Sequence, residues 1–461
     1  MILATRARTC QTRPRLGCGP SAVSPLQDRH DKNKQQDRLL AAIVAVSCEH
    51  GYEAATIARV IGHAGVSRPT FYEYFAHKDA CFVAALEVVE RDLLATTRRV
   101  IEERPPRIAA AAAITALVSF AQERPAEARL LTHEALAAGQ QARDARDHGV
   151  ERIARLIENA YRRVSAGTMI PALPSGVLIG ATYRLLALRL VRGERALAPL
   201  QADLLDWLAA YERPVEQQRW RTLTPTAAPA RSPFVGRAPL RAPPTLSPGR
   251  PRHSAPRISE NHRLRIIFAT AETVRRVGYA ATTVAEITRA AGIDGRAFYK
   301  QFTSKQEAFA AVRELTFQNT MAVTAGAFFA GHDWPRRIWQ AGMAFTQYLE
   351  ENPALTYTCV VESHAGSLAT VQRFQDLVAG FTIFLQEGYE YQPPLPSAPS
   401  SVALEAVAQA SLEILYRQAR SSSSPELAGL QANLAYIALT PFVGAAKAGE
   451  LVTDMQGAEI S

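Results

Sequence analysis

Through most of the chain, apolar residues return every third or fourth position, as at Ile114, Leu117 and Val118 and again at Phe374, Leu377, Val378 and Phe381. That spacing lines one face of an α-helix, and no stretch sustains the period of two that a half-buried strand requires. The pattern predicts an all-α protein. It breaks between Arg213 and Arg257, where ten prolines and many arginines displace the periodic apolar positions. Such a composition predicts an extended or disordered linker that divides the chain in two.

The two sides of that break repeat one another. Shifting the second half by 227 positions gives 13 identities without a gap over Gly51 to Ala84, among them Gly51/Gly278, Tyr52/Tyr279, Thr56/Thr283, Gly65/Gly292, Phe75/Phe302 and Lys78/Lys305. The correspondence returns near the end of each half, in Pro174 to Tyr211 and Pro399 to Leu439, each reading as two long helices around a short polar break. A whole unit is duplicated.

In the first copy, "DRLLAAIVAVSCEHGY" predicts a helix stopped by Gly51. A shorter one, "ATIARVIGHAG", opens at Thr56 and ends at Gly65. Ser67 then caps a third, "SRPTFYEYF", which tolerates Pro69 in its first turn. Two short helices joined by a glycine turn and packed on a longer one make a helix-turn-helix. Its second short helix enters the major groove, so its first residues should be small, polar or basic. Ser67, Arg68 and Thr70 meet that requirement, Tyr72 can reach a phosphate one turn on, and Lys78 adds a cation near the DNA backbone, while Phe71 and Phe75 pack inward. The second copy keeps the frame and changes the reader: Asp294 is the cap, Arg296 is the candidate for a bidentate guanine contact, and Tyr299, Lys300 and Lys305 are the phosphate contacts. Thr56 and Thr283, at the start of the preceding helices, complete the DNA-facing set.

Charge qualifies this picture. The net charge is +9, but residues 1–35 contribute +5 and residues 213–257 contribute +8, so the remainder carries −4. Any nucleic-acid contact by the folded parts is therefore local, and the basic segments add sequence-blind attraction to phosphate. Residues 36–90 count four cations against seven anions, and residues 258–317 count nine against six, so the second reader is expected to grip DNA harder. No apolar run reaches membrane-spanning length, and the chain reads as cytoplasmic, nucleoid-associated when bound to DNA. Five scattered cysteines form no metal or redox spacing, and neither cofactor nor metal is expected.

The repeated motif "GY..aT...I...AGvs...fY.yF..K", matched by Gly51 to Lys78 and by Gly278 to Lys305, resembles that of the TetR family of bacterial transcriptional regulators. The resemblance implies a helical C-terminal domain in each unit that binds a small effector, a shift of the helix after the reader when effector binds, and loss of operator affinity as the readers change spacing. Repression is the family's usual mode, and its dimer interface lies where the paired terminal helices stand here. The expected organisation is a disordered basic tail (1–35), a first helix-turn-helix domain (36–90), a helical effector and dimerisation domain (91–212), the linker (213–257), a second helix-turn-helix domain (258–317), a second effector and dimerisation domain (318–450) and a tail (451–461). Candidate effector contacts are Glu134 in the first unit and Trp339, Phe345, Tyr348 and Glu362 in the second, where polar groups stand among aromatics.

Expected partners are a double-stranded DNA operator, an unidentified small molecule, and a second terminal helix pair. That last partner is either the other unit of the same chain, as a pseudo-dimer, or the like unit of a second chain. A 45-residue coil spans roughly 35 to 40 Å, which sets the local concentration of one unit about the other on the order of millimolar. A pseudo-dimer would read two unlike half-sites, because "SRPT" and "DGRA" do not read the same bases. Catalysis is not expected: there is no Gly-rich phosphate loop or nucleophile turn, and Glu362 and His364, two apart on an expected helix, share no face. The competing class is a protein-interaction scaffold whose helix-turn-helix no longer binds DNA.

Overall fold

The structure is a computed structural model that describes residues 25–223, 225, 230–236, 240–245, 254–391, 398–421 and 426–460. The first unit runs through α1 (Pro25–His50), α2 (Ile57–Ala64), α3 (Arg68–Tyr74), α4 (Lys78–Glu102), α5 (Ala109–Glu123), α6 (Pro125–Arg129), a single π turn at Leu130–Glu134, α7 (Ala135–Ala137), α8 (Gln140–Tyr161), α9 (Ser175–Val191) and α10 (Ala198–Ala209). The second runs through α11 (Ala255–Val277), α12 (Val284–Ala291), α13 (Gly295–Gln301), α14 (Lys305–Ala330), α15 (Trp334–Glu351), α16 (Pro353–Val360), α17 (Leu368–Gly380), a 3-10 turn at Phe381–Tyr389, α18 (Ser401–Ser421) and α19 (Gln431–Ile460). The fold is all-α. Among the described residues the strands are two short ones, β1 (Met169–Pro171) and β2 (Glu212–Pro214), which pair antiparallel with Ile170 opposite Arg213.

Several expected boundaries move. The chain is helical from Pro25, so residues 25–35 belong to α1 rather than to a basic tail, and residues 1–24 lie outside the described residues. The boundaries after residues 90 and 317 fall inside α4 and α14, so each reader shares one unbroken helix with the rest of its unit. Helix α19 carries residues 451–460 onward from a kink at Gly444, whose φ of 77° follows Pro441.

The linker departs most from expectation. Trp220 is buried and stacks on Tyr436 at 4.7 Å with the rings 10° apart. The Ser232 amide donates to Gln347 Oε1 at 2.8 Å, Arg231 pairs with Glu351, and the Leu240 amide donates to Asn352 Oδ1 at 2.8 Å. The start of the segment thus lies along the first unit, through β2 and the Arg221–Glu158 pair, while Trp220, Arg231, Ser232 and Leu240 dock on the second. Proline removes backbone donors and helical periodicity, but it leaves the remaining amides and aromatic rings free to bind a neighbour's surface.

The two units pack against each other. Helices α9 and α10 of the first meet α18 of the second, α8 reaches α18 through Arg146 and Glu413, and β2 meets α19; the apolar cores of their helical parts are continuous, with Leu185 and Leu190 in the same cluster as Leu412 and Leu415. Tyr211 donates its hydroxyl to the Ile437 carbonyl at 2.8 Å and stacks edge-on against Tyr436. Within this seam lies a run of charge: Arg143 with Glu362, Arg146 and Arg184 with Glu413, and Arg189 with Glu405. Arg417 and Arg420 reach back to Glu151 and to Asp144 and Asp147.

Candidate nucleic-acid interface and adjoining cavity

Each reader is built by short-range rules. Thr56 and Thr283 cap α2 and α12 through their hydroxyls, Thr283 in a reciprocal pair with Glu286. Gly65 and Gly292 end those helices in the left-handed region, each with φ of 60°. A methyl on Gly65 would lie 2.7 Å from Arg38 Nη2, and one on Gly292 2.8 Å from Arg265 Nη2, so a side chain at either turn would also have to displace the end of an arginine from the first helix of the unit. Ser67 then caps α3 by accepting from the Thr70 amide at 3.2 Å, and Asp294 caps α13 by accepting from the Ala297 amide at 2.7 Å. Phe71 and Phe298 are fully buried and fix the pitch of each reader.

The outward faces carry the expected polar set. Thr56, Ser67 and Arg68 are exposed, Thr70 is half-buried beside Ser67, and Tyr72 is 47% exposed with Arg68 stacked over its ring. In the second reader Thr283, Asp294, Arg296 and Lys300 are exposed and Tyr299 is 62% exposed.

Lys78 and Lys305 are placed otherwise. Lys78 folds back so that Nζ donates to the Tyr52 carbonyl at 2.9 Å and rests over the Tyr52 ring; burial lowers its pKa. Lys305 Nζ donates to the carbonyls of Tyr279 and Thr282, each at 3.1 Å, and lies over the Tyr279 ring. Both ammonium groups satisfy carbonyls of the turn that follows the unit's first helix, instead of standing free for phosphate.

That same turn is gripped from the other side. The Tyr52 amide donates to Glu134 Oε2 at 3.0 Å, and the Tyr279 amide donates to Glu362 Oε1 at 3.3 Å. Glu134 and Glu362 were expected to face a ligand; they are instead the equivalent ties between helical body and reader. Arg129 completes the Glu134 tie within its own unit, and burial raises the Glu134 carboxyl pKa. Glu362 is completed by the other unit: Arg143 Nη1 and Nη2 reach its two oxygens at 3.0 and 3.2 Å. Neither Glu362 nor His364 is helical, because α16 ends at Val360 and a turn follows.

The second unit holds an apolar cavity of about 200 Å³ between α14, α15, α17, α18 and α19. Phe345 lines it. Trp339 and Tyr348 do not, being packed in the core on other faces of α15, and neither Glu134 nor Glu362 borders it. Phe317, Phe381 and Leu415 do, with Thr316, Thr320 and Thr324, whose hydroxyls donate to the carbonyls four residues earlier. One cation stands in its wall, Arg313, 2% exposed. Arg143 and Arg313 escaped the sequence reading; the signal was an arginine on the apolar side of a helical period, in "AAVREL" and "QARDAR". Among the described residues no group of three or more His, Cys, Asp or Glu side chains is placed to hold a metal ion, and no helix is long and apolar enough to cross a membrane.

The family model described as bacterial regulatory proteins, tetR family, matches residues 39–85 and 266–312, the two readers with the ends of their flanking helices. The chain is similar to the nucleoid occlusion factor SlmA of Glaesserella parasuis, 30% identical over 105 residues, which are 23% of this chain and 52% of that protein. It is also similar to the SlmA of a Marinomonas strain, 31% identical over 107 residues, 23% and 54% of the two chains. It spans about half the length of the curated relatives it matches. Among solved structures it is similar to a TetR family transcription regulator from Marinobacter aquaeolei, 18% identical, covering 39% of this chain and 96% of that one, with a TM-score of 0.32.

Proposed function

The chain belongs, through two of its segments, to the tetR family of bacterial regulatory proteins, and from that premise we propose that it is a ligand-responsive, DNA-binding repressor. Its two helix-turn-helix readers act as an intramolecular pseudo-dimer. DNA-facing residues in this reading are Thr56, Ser67, Arg68, Thr70 and Tyr72 in the first reader and Thr283, Asp294, Arg296, Tyr299 and Lys300 in the second. The effector enters the second-unit cavity, where Phe345 meets it. Ligand in the cavity shifts α14, which begins just after the second reader, and so changes how the two readers span the duplex.

The observation that carries the pairing is Glu413 of α18, held by both Arg146 and Arg184 of the first unit inside a seam closed to solvent. An isologous contact sets a surface against its own copy. Two first units would leave Arg184 without a carboxylate and Arg146 with Asp147 alone, and two second units would bury Glu413 without its cations. Either is costly, because an uncompensated buried charge destabilises by several kcal/mol. Unlike units are therefore the favoured partners.

The test is the mass of the chain alone and of its complex with an operator duplex, by light scattering. One chain, 50.3 kDa, is expected in both. A complex holding two chains on a palindromic site would replace this reading with ordinary homodimerisation.

A further inference from the structure

Arg313 is an arginine without a carboxylate. Nη2 donates to the backbone carbonyl of Glu362, yet Nε and Nη1 have no hydrogen-bond partner, although the side chain is 2% exposed. The guanidinium is flanked by the rings of Phe309 at 4.3 Å and Phe374 at 5.0 Å. Burial pushes its pKa down to about 10, which leaves it charged at neutral pH. A buried cation with free donors is an expensive arrangement unless something completes it.

What surrounds it defines what could. On one side lies the apolar cavity, whose aromatic and aliphatic wall offers no free donor from Thr316, Thr320 or Thr324. On the other lies a second hollow of about 240 Å³ bordered by Arg263, Arg373, Glu307 and Glu314, in which Arg373 and Glu314 pair at 3.6 Å. The guanidinium thus separates an apolar chamber from a charged vestibule. Equivalent positions in the first unit are Leu86 for Arg313, Val89 for Thr316 and Leu93 for Thr320, all buried, so the cation belongs to the second unit alone.

We propose that the cavity takes an amphipathic carboxylic acid, its carboxylate on the open Nη1 of Arg313 and its apolar tail among Phe317, Phe345 and Phe381. This rests on the reading of the cavity as the effector site and names the class of effector. The open N–H donors of a guanidinium suit a carboxylate oxygen, and in an apolar surrounding such charge-assisted bonds are strong. The same residue supplies the route outward. Its third nitrogen holds the Glu362 carbonyl, and the Glu362 carboxylate holds both the Tyr279 amide of the second reader and Arg143 of the first unit. A carboxylate drawing the guanidinium inward therefore loads the tie between cavity and reader.

The experiment uses the full chain and three probes of one chain length: decanoate, decan-1-ol and decyltrimethylammonium. Binding is followed by calorimetry, and release of an operator duplex by fluorescence anisotropy. Decanoate is expected to bind about tenfold or more tighter than decan-1-ol, the ammonium not at all, and decanoate alone should release DNA. Arg313→Leu should erase the preference while decan-1-ol binding remains, and Arg313→Lys should restore part of it. Should Arg313→Leu fail to fold, the three-probe comparison on the unaltered chain still decides. If decan-1-ol binds as tightly as decanoate and releases DNA, the effector site stands and the acid class is overturned. If none of the three binds, the class assignment is overturned, and the effector reading is judged separately by whether Phe345→Trp, which fills the cavity, leaves DNA binding unresponsive to cell extract.

Discussion

Arg184 Nε donates to Glu413 Oε2 at 2.9 Å in a place where both side chains are essentially closed to solvent. Arg146 binds the other oxygen at 3.1 Å, so one carboxylate from the second unit bridges two guanidinium groups of the first, with Asp147 beside Arg146 supplying the second negative charge. Burial opposes both cations. Glu413 and Asp147 outweigh it and raise the pKa of Arg146, while Arg184, pressed by Arg146, is left below its ordinary value. Removing the shared partner by Glu413→Ala leaves buried Arg184 without a carboxylate and Arg146 with Asp147 alone, and should cost about 3–5 kcal/mol, read as a lower urea midpoint. Gly180 packs directly on this carboxylate, and a methyl there would lie 2.2 Å from Glu413 Cδ, so Gly180→Ala should destabilise by the same measure. An unchanged midpoint in both variants would show that the seam is not what holds the units together.

The lysines separate two roles that look identical in the repeated motif. Lys305→Met removes the donor that closes the turn at Tyr279 and should lower the melting temperature while leaving the salt dependence of DNA binding in place. Lys300→Ala, on the exposed face of α13, should do the reverse, reducing the slope of log K against log salt by about one. Matching behaviour of the two variants would return Lys305 to the phosphate-contacting set.

Two histidines meet across the seam, His133 of the first unit and His364 of the second, with ring centroids 5.1 Å apart. Burial, with Arg129, holds the His133 pKa down to about 3; burial, with His133, Arg184, Arg146 and Arg313, holds His364 well below its ordinary value. Both are neutral in the fold, so the contact of His133 with Glu134 at 4.0 Å is not an ion pair. The unfolded chain takes up these protons near pH 6.5 and the folded chain does not. Their contribution to stability is therefore complete above about pH 6.5 and is lost as pH falls, by up to about 1.4 kcal/mol per pH unit for each proton withheld. Glu134, raised by burial, acts in the opposite sense and offsets part of the fall, so the window to measure runs downward from about pH 6.5. Denaturation midpoints should fall across it, and His133→Gln with His364→Gln should flatten the fall.

What was legible in the sequence was local. Thr56, Ser67 and Asp294 cap the helices that follow them, and Gly65 and Gly292 end the helices that precede them, through contacts three to five residues away. Caps, glycine stops and the internal repeat therefore placed both readers, and periodicity placed the all-α fold. Contacts made at a distance were not legible. Lys78 and Lys305 share a spacing with a phosphate contact, and only the folded return of the Tyr52 and Tyr279 turns shows where their charge goes. Glu362 sits among aromatics in sequence, but its partner Arg143 is 219 residues away. Trp339 and Tyr348 lie on the same apolar helix as Phe345, yet a helix buried on several sides gives no sign in its spacing of which face meets a cavity. The proline-rich segment lost periodicity without losing partners, since Trp220 and Ser232 bind a surface built by the second unit.

Glu362→Gln tests the tie between cavity and reader. Its amide keeps the size of the carboxylate but loses the charge that Arg143 completes. The variant should bind operator with little change while its release by a cavity ligand weakens by about fivefold or more, the lower end of ordinary coupling energies. Release at the unaltered ligand concentration would place the coupling elsewhere.

The central claim is that two unlike readers in one chain address one duplex, and selection of bound sequences from a random DNA pool tests it most directly. Two unlike readers should select an asymmetric site of two different half-sites, in which Arg296→Ala relaxes a single base position in one half only, by about 1 to 3 kcal/mol. A perfect palindrome, with both halves relaxed together by Arg296→Ala, would contradict it.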